Sequence, residues 1–168
     1  RDVPVTVALT VVADTLTVDF TGSSPQVRGF KNSSLANTQS AVAMAIMTFF
    51  ETDIPRNEGA QRPLKIIAPE GSIVNALAPA ALTMCTIFPA HDIISACWKA
   101  LAQAHPPGTL AGWGRINHCI TTHRRADGSN VVIGHMNAHP GAGATPLRDG
   151  FNTIGQLPTL GGLILPNV

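Results

Sequence analysis

An α+β fold is the expectation for this chain: a mixed sheet with hairpins, two buried helices and long ordered loops. Three observations predict it. Val3, Val5, Val7, Leu9 and Val11 alternate with Pro4, Thr6, Ala8 and Thr10, the period of a half-buried strand. Ala41, Val42, Met44, Ala45, Ile46, Met47 and Phe49 leave almost no polar face on a helix. Between these lies TGSSPQVRGFKNSSLAN, so dense in Gly, Ser, Asn and Pro that no regular element suits it.

Taken in order, a second alternating run puts Leu16, Val18 and Phe20 on one face, so the chain begins with a hairpin turning near Asp14. The Gly/Ser-rich stretch reads as an ordered loop. Asn37 or Thr38 is the candidate cap of a helix running to about Glu51. DIPRNEGAQRP is a polar connection, LKIIA a short strand, PEGS a turn, and VNALAPAALTMCTIF an irregular apolar stretch. A second helix starts near Pro89 or Ala90, because Ile93, Ile94, Cys97, Trp98 and Leu101 recur at helical spacing. Pro106-Pro107 forbids its continuation, Asp92 suits its first turn and His105 its last. Beyond Gly108, runs at residues 118–123 and 131–135 flank RRADGSN, a hairpin signal through Asp127-Gly128. Loops dominate the Gly- and Pro-rich final thirty or so residues.

The 168 residues suffice for one domain with a real core, and no internal repeat or linker divides them. Hydrophobic residues make up 45% and charged residues 12%, so segments 40–50 and 76–90 call for cover from the core or a partner. The formal charge of +1 supplies no field for a phosphate backbone, which argues against nucleic acid. No apolar stretch reaches the roughly 20 residues of a membrane span, and the first residues do not resemble a signal peptide. Three scattered cysteines, Cys85, Cys97 and Cys119, form no disulfide framework and point to a reducing, cytoplasmic compartment.

The motifs that bear chemistry are incomplete. His135 and His139, four apart in HMNAH, would share a helix face. On a strand they share a face about 13 Å apart, too far for one ion, and a hydrogen-bonding loop role is the alternative. His91-Asp92 reads as a helix N-terminus or as a catalytic dyad. HPGAGATPLRDG lacks the lysine of a phosphate loop, no G-x-S-x-G elbow exists, and the cysteines sit in core-like surroundings. Asp19 leaves a strand for a Gly-Ser loop, as sheets do when they present functional groups, although an Asx turn is the simpler reading.

At these same residues the chain resembles the hydantoinase B/oxoprolinase family, which includes ATP-dependent hydantoinases and oxoprolinases and the related acetone and acetophenone carboxylases. The resemblance rests on VDFTGSSPQVRGFKNSSLANTQSA, DIPRNEGAQRPLKIIAPEGSIVNALAPAA, WKALAQAHP followed by AGWG, NAHPGAGA, RDGFNTIG and LGGLILPNV. It implies a fragment from the central to later part of a larger subunit, working with an ATP-binding hydantoinase A-type subunit and the remaining parts of its own subunit. ATP and magnesium would belong to the partner, and a divalent metal to segments outside this chain, since the H-x-x-D motif is absent. The implied activity is hydrolytic opening of a cyclic amide (hydantoin, 5-oxoproline or a similar lactam). Ketone carboxylation and a non-catalytic docking segment are the alternatives. Within the matching blocks, Asp19 and His139 are the candidate catalytic residues, and Asn32, Asn37, Glu70 and His135 the candidate substrate-binding residues. No metal ligand is assigned.

Overall fold

The alternating N-terminal runs form a hairpin that is the beginning of a three-stranded mixed sheet. The computed structural model describes residues 2–50, 55, 57–114, 117–138 and 141–150, the side chains at 117–120 and 134–138 excepted. Strand β1 (Ala8–Val12) pairs antiparallel with β2 (Thr15–Asp19), Leu9 facing Val18 and Val12 facing Thr15. Strand β3 (Leu64–Ile67) lies parallel on the other side of β2, giving the order β1-β2-β3. The strand expected from Val3 pairs with β2 only from Ala8. Upstream, the extended chain instead follows the Gly-Ser loop: Ser24 N–H donates to Pro4 O at 3.0 Å and Thr6 N–H to Ser23 Oγ at 3.0 Å.

The hairpin turns over Ala13-Asp14, and Ala13 has φ 52°, a left-handed conformation that its Cβ disfavours. A β-branched side chain there is worse still. Ala13→Val is expected to lower stability by about 1–2 kcal/mol and Ala13→Gly to stay within about 0.5 kcal/mol of wild type, read as shifts of the urea midpoint.

Helix α1 (Leu35–Phe49) begins earlier than the sequence suggests. Ser34 is the cap, its Oγ accepting from Asn37 N–H at 3.2 Å, and both Asn37 and Thr38 lie inside the helix. The cap expectation fails because Ser34 is the last residue before the helix whose backbone is still extended, and a hydroxyl there reaches the third amide beyond it. Helix α2 (Glu58–Gln61) is a single turn capped by Asn57. Helix α3 (Pro89–Ala104) starts on its proline, which has no N–H to orphan, and His105 closes it ahead of a 3-10 turn over Pro106–Gly108.

Helices α1 and α3 cover one face of the sheet. Val18 and Phe20 of the β2 run are fully buried against Ala41, Val42, Ala45 and Phe49 of α1 and Ile93, Ile94, Cys97 and Trp98 of α3. The opposite face carries Thr10, Thr17, Lys65 and Ile67. The indole N–H of Trp98 donates to Ala45 O at 3.0 Å, and further along Phe49 meets His105, ring centroids 6.2 Å apart. The two helices therefore run in the same direction. Helix α1 thus finds its cover within the chain, whereas Leu77 in the 76–90 segment stays 48% exposed.

The second hairpin joins β4 (Asn117–Arg124) and β5 (Asn130–Ala138), both longer than their sequence signals. Asp127 Oδ1 accepts from Ser129 N–H at 2.9 Å and Gly128 takes φ 84°, so the turn closes where Asp-Gly predicts. Opposite faces of β5 expose Val132 (66%) and Ile133 (40%). Among the described residues no helix is long and apolar enough to cross a membrane.

Candidate functional site

Asp19 is the last residue of β2 and points away from the core, since its neighbours Val18 and Phe20 point inward. Its Oδ1 accepts from Thr21 N–H at 2.8 Å, the geometry of an Asx turn. Hydrogen bonds from Thr21, side chain first and backbone second, hold the carboxyl below its ordinary value, so it is anionic at neutral pH. Because β2 and β3 are parallel, the exit of β3 lies beside Asp19, which is paired with Ile67. Exposed Glu70 stands in the turn that follows, next to Gly71 at φ 74°. Asp19 and Glu70 therefore occupy the same end of the sheet, the carboxyl ends of two parallel strands where open sheets present functional groups.

Asn32 and Asn37 lie elsewhere, in the seam between the Gly/Ser-rich loop and the apolar 76–88 stretch. Asn32 is fully buried. Its Oδ1 accepts from Val27 N–H at 2.8 Å, and its Nδ2 is shared among Val27 O, Gly29 O and Ala81 O at 2.9, 3.0 and 3.1 Å. Asn37 Nδ2 donates to Ser33 Oγ at 2.7 Å and to Cys85 O at 3.0 Å. Further bonds tighten the seam: Ser33 N–H to Ile73 O and Ala76 N–H to Ser33 O. Gln26 Oε1 accepts from Leu77 N–H in the same seam. The polar composition that forbids helix and strand here supplies the bonds that order the loop.

His135 lies on β5, its backbone opposite Cys119. The strand continues to Ala138, so the HMNAH pair does not share a helix face. The His135 side chain and all of His139 lie outside the described residues. His91 is buried in the first turn of α3 beside half-buried Asp92. Cys97 is a core thiol whose pKa burial pushes up to about 12, which disfavours a thiolate. Among the described residues no three His, Cys, Asp or Glu side chains converge, so these residues offer no donor set for the divalent metal the resemblance implies.

A cavity that motif reading missed opens where α1 and α3 end. It measures about 540 Å³ and is lined by Thr48, Phe49, Phe50, His105 and, from the later loop, Leu147 and Arg148 among others. Phe49 packs edge-on to Phe50, centroids 5.2 Å apart. A Cβ on Gly108 would come within 2.8 Å of His105 Cδ2 and 3.0 Å of Phe49 Cε1, so glycine lets the chain pass this close to the rings. In the sequence, the site shows only as His105 and the Pro-Pro stop behind it.

A mixed sheet with two helices on one face, joined by hydrogen-bonded loops and followed by a separate hairpin, defines an α+β unit. The chain belongs to the hydantoinase B/oxoprolinase family, whose profile it matches over residues 1–167. It is 34% identical over 146 residues to the beta subunit of caprolactamase from Pseudomonas jessenii, a match covering 84% of this chain and 25% of the relative. It is 32% identical over 99 residues to 5-oxoprolinase 1 of Arabidopsis thaliana, covering 56% of this chain and 8% of the relative. The chain thus spans about a quarter or less of these relatives. Its fold matches the crystal structure of ATP-dependent caprolactamase from Pseudomonas jessenii with a TM-score of 0.72 and 27% identity, over 100% of this chain and 33% of that one. Nucleotide-free acetone carboxylase matches with the same TM-score of 0.72 at 18% identity, over 95% of this chain and 22% of that one, a likeness of fold.

Proposed function

We propose that this chain is the central to later part of a hydantoinase B-type subunit that opens a cyclic amide by ATP-dependent hydrolysis, a hydantoin, 5-oxoproline or similar lactam. The observation that carries the reading is the joint match in sequence and fold to caprolactamase, the fold match extending over the whole of this chain. In this reading ATP and magnesium are held by a hydantoinase A-type subunit, which activates the amide oxygen, and any divalent metal is held by other parts of the chain's own subunit. Low charge and ordered loops suit a surface from which water is excluded while a labile phosphorylated intermediate persists.

Asp19, anionic at a strand exit, serves to orient a ligand group or a histidine. His139 shuttles a proton near neutral pH. In this reading Glu70, at the same sheet end as Asp19, and His135 of β5 are substrate-binding residues. Asn32 and Asn37, read from the sequence as substrate-binding, act in this proposal as positioning residues that hold the loop following Asp19.

The test is turnover of the complete complex with lactams, and in parallel with small ketones plus bicarbonate. ATP consumption coupled to lactam opening supports the reading, and consumption only with ketone and bicarbonate overturns it in favour of a carboxylase. In the same assay Asp19→Asn and His139→Ala are each expected to lower kcat by about a hundredfold with folding intact. Wild-type turnover by both variants removes the pair from the mechanism.

A further inference from the structure

The cavity at the ends of α1 and α3 has an electrostatic character set by the backbone. The two helices run in the same direction and finish there together, so their terminal carbonyls, the negative ends of two helix dipoles, converge. Neither helix carries a basic residue in its last turn to offset this. Beside those ends stand the rings of Phe49 and Phe50, whose π-faces attract cations. Among the described residues, the one side chain of fixed positive charge lining the cavity, Arg148, comes from the later loop. Its planar, five-donor guanidinium matches the two oxygens of a carboxylate.

We infer that this cavity binds a small amino acid by both ends, its ammonium against the exposed Phe50 ring at the paired helix C-termini and its carboxylate on Arg148. The apolar stem between the charges lies along Leu147 and the aromatic rings. The inference rests on the proposed lactam hydrolysis for its ligand class. Adding water across a lactam C–N bond leaves a carboxylate on the carbon and, after protonation, an ammonium on the nitrogen of one molecule. The cavity matches that product and rejects the uncharged ring.

Titration calorimetry of the complete complex, without ATP, tests this with 6-aminohexanoate, hexanoate, hexylammonium and a neutral lactam. Binding of 6-aminohexanoate about tenfold or more tighter than the lactam is expected, the scale of one charge-assisted contact. Arg148→Gln is expected to weaken 6-aminohexanoate and hexanoate by about tenfold and to spare hexylammonium, as loss of a charge-assisted pair would. Phe50→Leu, at an exposed ring, is expected to weaken 6-aminohexanoate and hexylammonium by about threefold and to spare hexanoate. Equal affinity for the lactam, or unchanged affinity for 6-aminohexanoate in both variants, overturns the inference. Lactam-dependent ATP turnover of the complex is a separate measurement. If turnover stands while selective binding fails, the cavity assignment is wrong and the hydrolase reading survives; selective binding without lactam turnover leaves the cavity and removes the hydrolase.

Discussion

Trp98→Ala is expected to lower stability by about 3–5 kcal/mol, the range for deleting a buried aromatic side chain. The indole is 2% exposed, wedged where α3 crosses α1 and tilted against Trp113 with centroids 6.5 Å apart. Truncation opens a void between the helices that rigid backbones cannot close. Trp98→Phe separates packing from hydrogen bonding. It keeps an aromatic body and deletes the donor to Ala45 O, a carbonyl inside α1 that the helix's own backbone ladder also serves and that is therefore not left bare. That variant is expected to cost about 1–2 kcal/mol. Denaturant titration of the two variants checks the ordering; a smaller loss for alanine than for phenylalanine contradicts the packing account.

Asn32→Ala is the second large effect, about 3–5 kcal/mol, because it strands groups that water cannot reach. Val27 N–H loses its acceptor, and Val27 O, Gly29 O and Ala81 O lose a shared donor. Asn32→Asp is the sharper probe. Its ionised carboxylate still accepts from Val27 N–H but points its second oxygen at three carbonyls in a fully buried site. Burial and the carbonyls favour the protonated form, so the folded pKa of this aspartic acid lies above its unfolded value. The sign follows: the variant is most stable below the unfolded pKa and loses stability as pH rises through the folded pKa. Thermal unfolding of Asn32→Asp at about pH 4 and about pH 7 is expected to show the higher midpoint at the acid value, relative to wild type at the same pH.

Much of the fold was legible because its signals are local. Leu16, Val18 and Phe20 announce a strand by period alone, and Ile93 to Leu101 announce a helix bounded by Pro89 and Pro106. Errors fell where one local rule competes with another. Ser34, Asn37 and Thr38 are all good caps, and only the extended backbone at Ser34 decides among them. Pro4 to Thr6 alternate like a strand, yet their partner is a loop, a pairing that no alternation encodes. The candidate site divides in the same way. A carboxylate at a strand exit is readable, and Asp19 stands there. The cavity is not readable, because Phe50, His105 and Arg148 are brought together only by helix direction and by the return of the later loop.

The parallel pairing of β2 with β3 carries a consequence for how the chain folds. The β1–β2 hairpin closes over two residues and can form within about 1–10 μs. Its other edge finds β3 only after residues 20–63 have looped back, a closure whose entropy is recovered late, when Phe20 and α1 meet α3. During that interval the Thr15–Asp19 edge is unpaired, and Leu16 and Val18 are still without the helices that will bury them. A ribosome pausing before Leu64 emerges would therefore hold out a bare strand edge, the species from which aggregation begins and on which a chaperone would act.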